Sequence, residues 1–332
     1  MTWRFGVDIG GTFTDVALID EVSGAIGVAK TPTTPEDFGR GVLNGVNEAL
    51  AKYGMPATEV TLLSHATTVV TNALLEEKGA RIALVSTRGF RDLLELRRSA
   101  RADLYDLFQD PPAVLVPRQR RLEVTERIGA DGSVVVALAT DELAALIDQL
   151  KALDIEAVAV SFLFSFQNSA HEKAVGEAIR AALPGVPVFL SSEVLPEIRE
   201  FERTSTTAVC AYVGPILESY LRRLEEATQS LGLPDLLVMG SAGGVLDVPG
   251  ALAMPAAAVE SGPAAGVIAA QLIGKQLGKP NLLSFDMGGT TAKASLIENG
   301  RVETTAEYEV GSSASQSRWL HGTGHPIRVP VI

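Results

Sequence analysis

One phrase occurs twice in the 332-residue chain. Phe5-Gly6-Val7-Asp8-Ile9-Gly10-Gly11-Thr12 returns 278 residues later as Leu283-Ser284-Phe285-Asp286-Met287-Gly288-Gly289-Thr290, and at the same offset Leu18-Ile19-Asp20 returns as Leu296-Ile297-Glu298. Each copy reads as an apolar strand, an aspartate, one apolar residue, Gly-Gly-Thr and a second strand. The repeat predicts an α/β chain of two lobes, each opened by an equivalent hairpin.

The hairpins suit phosphate. Paired glycines let backbone N–H groups approach phosphate oxygens with no Cβ in the way. The hydroxyls of Thr12 and Thr290 add donors beside Gly10, Gly11, Gly288 and Gly289. An aspartate at the strand end, Asp8 or Asp286, is placed to hold Mg²⁺ through water, because Mg²⁺ accepts carboxylates while keeping several waters. Two such hairpins would clamp one nucleotide, with the metal between them, and phosphoryl transfer asks for that positioning and charge stabilisation. A single Asp-x-Gly-Gly is equally well explained as a tight turn. Two copies in matching context favour the phosphate loop.

Between the hairpins the pattern alternates strand and helix. Strands are expected at Ala25–Lys30, Thr61–Ser64, Arg81–Ser86, Ser133–Leu138, Ala157–Phe162, Val186–Leu190, Leu236–Met239, Asn281–Phe285 and Ile327–Ile332. Helices are expected at Glu36–Tyr53, Val69–Lys78, Asp141–Leu153, His171–Leu183 and Gly266–Leu277, with two more, Glu197–Tyr212 and Pro215–Leu231, separated at Gly214-Pro215. Residues 87–122 are read as a surface excursion. A boundary near Ser191 divides the chain into a first domain, 1–190, and a second, 191–332.

Composition narrows the function. Hydrophobic residues at 46% and charged residues at 20% place the chain among folded globular proteins. A net charge of −12 argues against non-specific nucleic-acid or anionic-membrane binding. The single cysteine, Cys210, rules out an intramolecular disulfide and is read as a core residue. No apolar run approaches the roughly 18 residues of a membrane span, and Met1–Phe5 leads straight into a strand, so a cytoplasmic protein is expected.

Asp-x-Gly-Gly-Thr in duplicate resembles the phosphate motifs of the actin/hexokinase-like ATPases. The opening Gly10-Gly11-Thr12-Phe13-Thr14-Asp15 is more similar to that of the hydantoinase A/5-oxoprolinase family. Ser64-His65-Ala66-Thr67-Thr68, Gly89-Phe90-Arg91-Asp92, Glu200-Phe201-Glu202-Arg203-Thr204-Ser205-Thr206-Thr207 and Ser261-Gly262-Pro263-Ala264-Ala265-Gly266 follow in the family's order. Ala66 stands where the family usually has Gly, and Ala242 where it often has Asn. The resemblance implies actin-like (ribonuclease H-like) lobes of mixed sheets flanked by helices. It also implies a second lobe that is incomplete here, since family members continue into a glycine-rich segment.

The resemblance further implies an ATP- and Mg²⁺-dependent hydrolase that opens 5-oxoproline or a hydantoin by phosphorylating the carbonyl oxygen, beside a B-type partner subunit. In that reading Asp8 and Asp286 position the metal, the two Gly-Gly-Thr triplets cradle phosphates, and Asp15 orients substrate or water. An acetone-type ketone carboxylase subunit is the alternative within the family. An inert binding module and a small-molecule kinase are alternatives outside it. His65 is a candidate to orient a carbonyl or move a proton, or else a histidine satisfied by backbone at a helix start. The hydroxyl run Thr204–Thr207 is expected to line a cleft, Arg97, Arg98 and Arg101 to attract a carboxylate, and His321 and His325 not to form a metal site.

Overall fold

The computed structural model describes residues 2–34, 37–99, 105, 108, 113–287, 292–311 and 324–332. Its elements, in chain order, begin with β1 (Trp3–Ile9), β2 (Phe13–Asp20), β3 (Ile26–Pro32), α1 (Phe38–Tyr53), β4 (Val60–Thr67), α2 (Val69–Leu75), β5 (Ile82–Thr87) and β6 (Arg121–Val124). Next come α3 (Leu143–Ala152), β7 (Ala157–Ser161), α4 (Ala170–Ala182), β8 (Val188–Leu190) and α5 (Glu200–Ser230). The last are β9 (Leu236–Met239), β10 (Val245–Asp247), α6 (Ser261–Gln276), β11 (Leu282–Met287), β12 (Ala292–Glu298) and β13 (Arg301–Val302). This is the mixed α/β architecture, with several sheets flanked by helices, that the motif pattern predicts. No helix among the described residues is long and apolar enough to cross a membrane.

Two compact units share the chain. The first comprises residues 1–72, 217–306 and 329–332, and the second 73–216 and 307–328. They interleave in sequence. The physical cause is strand pairing: β9, far along the chain, pairs in parallel with β4, so the chain must leave the first unit after β4 and return to it.

The first unit is built on a six-stranded sheet in the order β10-β9-β4-β1-β2-β3, antiparallel across β1–β2–β3 and parallel from β1 through β4 to β9. Burial alternates strictly along β2 and β3, so one face is covered and the other open. Val7, Val16 and Ala29 lie side by side on the covered face; Asp8, Asp15 and Lys30 lie side by side on the open one. Helix α1 seats closely on the covered face because Gly41 and Gly45, one turn apart, present no Cβ. A methyl at Gly45 would come within 2.9 Å of Val16. Asp37 caps this helix by accepting from the Arg40 N–H at 3.3 Å, and Gly54 ends it in the left-handed region at φ 63°.

The second unit holds a four-stranded, all-parallel sheet, β8-β7-β5-β6. Every residue of β5 and β7 is buried, as strands covered on both faces require. Its core joins Val85, Val158, Val160 and Phe162 to Leu146 and Leu150 of α3 and Val175 and Ile179 of α4.

Helix α5 departs from expectation. The break predicted at Gly214-Pro215 is absent, and one helix runs through both residues. Pro215 removes one backbone donor, at a typical cost of about 3 kcal/mol. Residues 201–214 are buried without interruption, and that burial outweighs the local penalty. Gly214 is small because the Phe189 ring occupies the space of its Cβ, at 2.6 Å.

The hydroxyl run is likewise buried inside the second unit, with Ser205 alone lining a small cavity beside Phe201 and Pro326. Thr206 and Thr207 donate to the carbonyls one turn back, Glu202 and Arg203, each at 2.7 Å; Ser205 donates to the Pro326 carbonyl at 2.6 Å, and Thr204 pairs with Ser161 at 2.7 Å. Back-bonding of this kind lets a hydroxyl be buried within a helix. The arginine cluster is neutralised, not free to attract a carboxylate: Arg97 lies 3.9 Å from Glu309 and Arg98 is paired with Glu202. Arg101 and His321 lie outside the described residues.

Gly79, in the same unit, offers a clean test of packing. A Cβ there would stand 2.0 Å from the ring of Tyr212, which is buried and whose carbonyl receives the Ala80 N–H at 2.8 Å. Gly79→Ala is expected to destabilise the protein by about 1–3 kcal/mol, the usual cost of overpacking. Urea unfolding checks it, and an unchanged midpoint would show that Tyr212 moves aside freely.

Candidate functional site

The first hairpin turns at Gly10–Thr12, where the Gly10 N–H donates to the Phe13 carbonyl at 3.0 Å. Thr33, just after β3, braces the turn: its N–H reaches the Thr12 carbonyl at 3.0 Å and its hydroxyl the Gly10 carbonyl at 2.9 Å. Neither Gly10 nor Gly11 has a positive φ. A Cβ on Gly11 would meet nothing within 4 Å, and one on Gly10 only the Phe13 carbonyl at 3.4 Å. Neither the backbone conformation nor internal packing therefore demands glycine here. The Gly10 N–H is spent on closing the turn, and Gly11 and Thr12 are exposed.

Asp8 is directly opposite Asp15 across the β1–β2 pair. Its carboxylate opens into a cavity of about 260 Å³ over the uncovered face of the sheet, among Asp15, Val28, Ala66, Met239 and Ala265. The surrounding walls crowd it, and with the negative charges of Asp15 and then Asp286 they push its pKa up to about 6, against a smaller lowering by Lys30. Asp15 is held in the open by Lys30, whose Nζ reaches both carboxylate oxygens at 2.7 and 2.9 Å. That ammonium also sits 4.8 Å over the Phe13 ring.

The N-terminus of α6 closes on the same place. A Cβ at Gly262 would come within 3.1 Å of Asp8 Oδ1, so glycine is what lets the helix start abut the carboxylate. The start is pinned from behind. Ser261 Oγ donates to the Thr67 carbonyl at 3.1 Å and accepts the Thr67 N–H at 3.2 Å, and the Glu260 N–H donates to Thr71 Oγ1 at 3.2 Å.

The second hairpin is the β11–β12 pair, with Asp286 opposite Lys293. Asp286 lies within electrostatic reach of Asp8, as the latter's raised pKa records. The loop residues Gly288, Gly289 and Thr290 lie outside the described residues. Lys293 forms an ion pair with the buried Glu260, and burial lowers its pKa to about 8. The sequence reading passed over both partners. The signal was present, since the 278-residue offset carries Asp15 onto Lys293.

His65, on β4, is fully buried. Its Nδ1–H donates to the Val7 carbonyl at 3.1 Å, and its Nε2 accepts the Tyr220 hydroxyl at 2.6 Å. Burial holds its pKa down to about 4, so the ring is neutral at physiological pH. With both nitrogens engaged, it orients the strand residue preceding Asp8.

Among the described residues no group of three or more His, Cys, Asp or Glu is placed to enclose a metal. Asp15 and Asp286 each lie near enough to Asp8 for their charge to raise its pKa.

Comparison with known proteins places the chain in a family. The family model for the hydantoinase/oxoprolinase N-terminal region matches residues 4–183, and that for hydantoinase/oxoprolinase matches residues 203–332. Caprolactamase subunit alpha of Pseudomonas jessenii is 35% identical over 338 residues, covering 98% of this chain and 48% of its own length. The crystal structure of the ATP-dependent caprolactamase from that organism superposes with a TM-score of 0.82 at 35% identity, over 99% of this chain and 47% of that one. The nucleotide-free structure of acetone carboxylase gives 0.86 at 26% identity, over 99% and 46%. The chain thus spans about half the length of these relatives. By both family models and by its likeness over nearly its whole length, the chain belongs to the hydantoinase/oxoprolinase family.

Proposed function

We propose that this chain supplies the nucleotide-binding hairpins of an ATP-dependent enzyme that opens a cyclic amide such as 5-oxoproline, a hydantoin or a larger lactam. The observation that carries the reading is the convergence of Asp8 and Asp286, equivalent residues of two repeated hairpins, close enough for one to raise the pKa of the other. Asp8 and Asp286 would hold Mg²⁺ through water. Gly10, Gly11 and Thr12, with Gly288, Gly289 and Thr290, would cradle the phosphates, and Asp15 would orient substrate or water. His65 contributes by fixing the strand that carries Asp8.

The chemistry explains the need for ATP. A lactam is resonance-stabilised and a poor electrophile. Transfer of the γ-phosphoryl group to its oxygen releases ADP and leaves an imidate phosphate. Water adds to the imidate carbon, the C–N bond breaks to free the amine, and a second water hydrolyses the resulting acyl phosphate to carboxylate and phosphate. A B-type partner subunit would complete the substrate site, in a cytoplasmic enzyme.

A second reading has its own support in the fold shared with acetone carboxylase. There the oxygen phosphorylated would be that of a ketone's enol form. Calorimetry of the chain with Mg-ATP tests the nucleotide reading common to both, with heat of binding and a raised melting temperature expected. Absence of both heat and thermal shift would overturn it. An ATP-turnover panel of the chain with its partner subunit, offering lactams, hydantoins and acetone with bicarbonate, separates the two reactions.

A further inference from the structure

We propose that Lys293 holds an oxygen of the nucleotide's phosphate chain and that Glu260 keeps it poised to do so. Asp8 and Asp286 would face the divalent cation, and Lys293, across the second hairpin from Asp286, presents an ammonium to phosphate. This rests on the nucleotide reading above and assigns a role within it.

The repeat supplies the first argument. Residue 15 of the first hairpin and residue 293 of the second are the same position of one motif, and the registers agree: Asp8 pairs with Asp15, and Asp286 with Lys293. Directly opposite residues of an antiparallel pair share a face. Lys293 therefore projects on the Asp286 side of its hairpin, as Asp15 does on the Asp8 side. Two equivalent hairpins thus carry opposite charges at one place, a carboxylate pair in one and a carboxylate–ammonium pair in the other. A bound Mg-nucleotide has that polarity too, metal at one point and anionic oxygens at the next.

The second argument is the way Lys293 is held. Its partner Glu260 is 8% exposed and lies at φ 58°, ψ 23°, a left-handed conformation that a side-chain-bearing residue adopts only under constraint. The constraint is visible in the bonds from Glu260 N–H to Thr71 and from Ser261 to Thr67, which fix the backbone behind Asp8. The strained residue aims its carboxylate at β12 and steadies an ammonium directly across the hairpin from Asp286. A half-buried lysine paired to one carboxylate retains donors for a second anion.

Calorimetry on the whole chain decides it, with Mg-ATP and adenosine as probes of the wild type, K293M, K293R and the neutral pair E260Q/K293M. Loss of a charge-assisted hydrogen bond to phosphate corresponds to roughly 10–100-fold in affinity. K293M and E260Q/K293M are each expected to lose that much for Mg-ATP while binding adenosine unchanged, and K293R to recover part. The double substitution matters because K293M alone strands a buried carboxylate. Were the pair only a structural latch, removing both charges would restore Mg-ATP affinity to the wild-type value. That restoration, or wild-type affinity in K293M itself, overturns the role of Lys293 while leaving the nucleotide reading intact. Absence of Mg-ATP binding by the wild type overturns both.

Discussion

Replacing Asp8 by Asn is expected to make the metal-free protein more stable at pH 7.5 and to strip it of Mg-ATP binding. The unfolded chain ionises this carboxyl near 3.8, whereas in the folded protein crowding, Asp15 and Asp286 raise it to about 6. Between those values the native state keeps a proton that the unfolded state has lost, so stability falls as pH rises through the window. Above about pH 6 the penalty is complete. Asn removes it. Because the carboxylate opens to solvent in its cavity, screening trims the gain to on the order of 1 kcal/mol. For a unit of this size that corresponds to about 2–4 °C in melting temperature.

The gain should vanish at pH 4, where the wild-type carboxyl is already largely protonated. Affinity for Mg-ATP should meanwhile drop by roughly 10–100-fold, the usual effect of losing a group that orients a metal's shell. Differential scanning fluorimetry at the two pH values in chelator, followed by calorimetry with Mg-ATP, reads both halves. An Asn variant that melts no higher than wild type at pH 7.5, or that binds Mg-ATP equally well, would mean that Asp8 is neither crowded nor engaged with the metal.

This opposition of stability and ligand shows what could be read from residues alone. The two hairpins were legible because period-two apolar strands around Asp-x-Gly-Gly-Thr leave few other conformations, and repetition made the signal specific. The parallel core of the second unit was legible for a similar reason, since uninterrupted apolar runs such as Ala157–Ser161 suit strands covered on both faces. Local rules failed where tertiary burial outweighs them. Gly214-Pro215 reads as a break, yet the helix continues because residues 201–214 before it are buried without interruption. Thr204–Thr207 read as cleft-lining hydroxyls because propensity cannot anticipate bonds to carbonyls one turn back and to Pro326. The Glu260–Lys293 pair joins residues on different elements; comparison of the repeats points to Lys293, and nothing in the repeats points to Glu260.

Acid should loosen the same site through His65, and the effect is expected to be large. The buried ring titrates near 4 in the folded protein against 6.5 when free, because burial disfavours the charged ring by more than the hydrogen bond to the Val7 carbonyl favours it. Here the unfolded state binds the proton first. Stability contributed by the neutral ring is therefore complete above pH 6.5 and is lost as pH falls towards 4, by roughly 3 kcal/mol over that interval at about 1.4 kcal/mol per unit. The sign is opposite to that of Asp8, whose protonation in the same range gives back about a third as much, so net destabilisation is expected. His325, also pushed down to about 4 by burial and by Arg97, adds a similar loss in the second unit. His65→Asn separates the two contributions, since its amide can still donate to Val7 and cannot titrate. At pH 7 it should cost about 1–3 kcal/mol, for the Tyr220 hydroxyl then lacks its acceptor. Adding Tyr220→Phe should recover part of that cost. Between pH 6.5 and 4.5, urea unfolding of His65→Asn should show a distinctly shallower fall in stability than the wild type. Parallel falls in the two proteins would show that His65 is not the proton acceptor, and that the β1–β4 pairing behind Asp8 does not depend on a neutral ring.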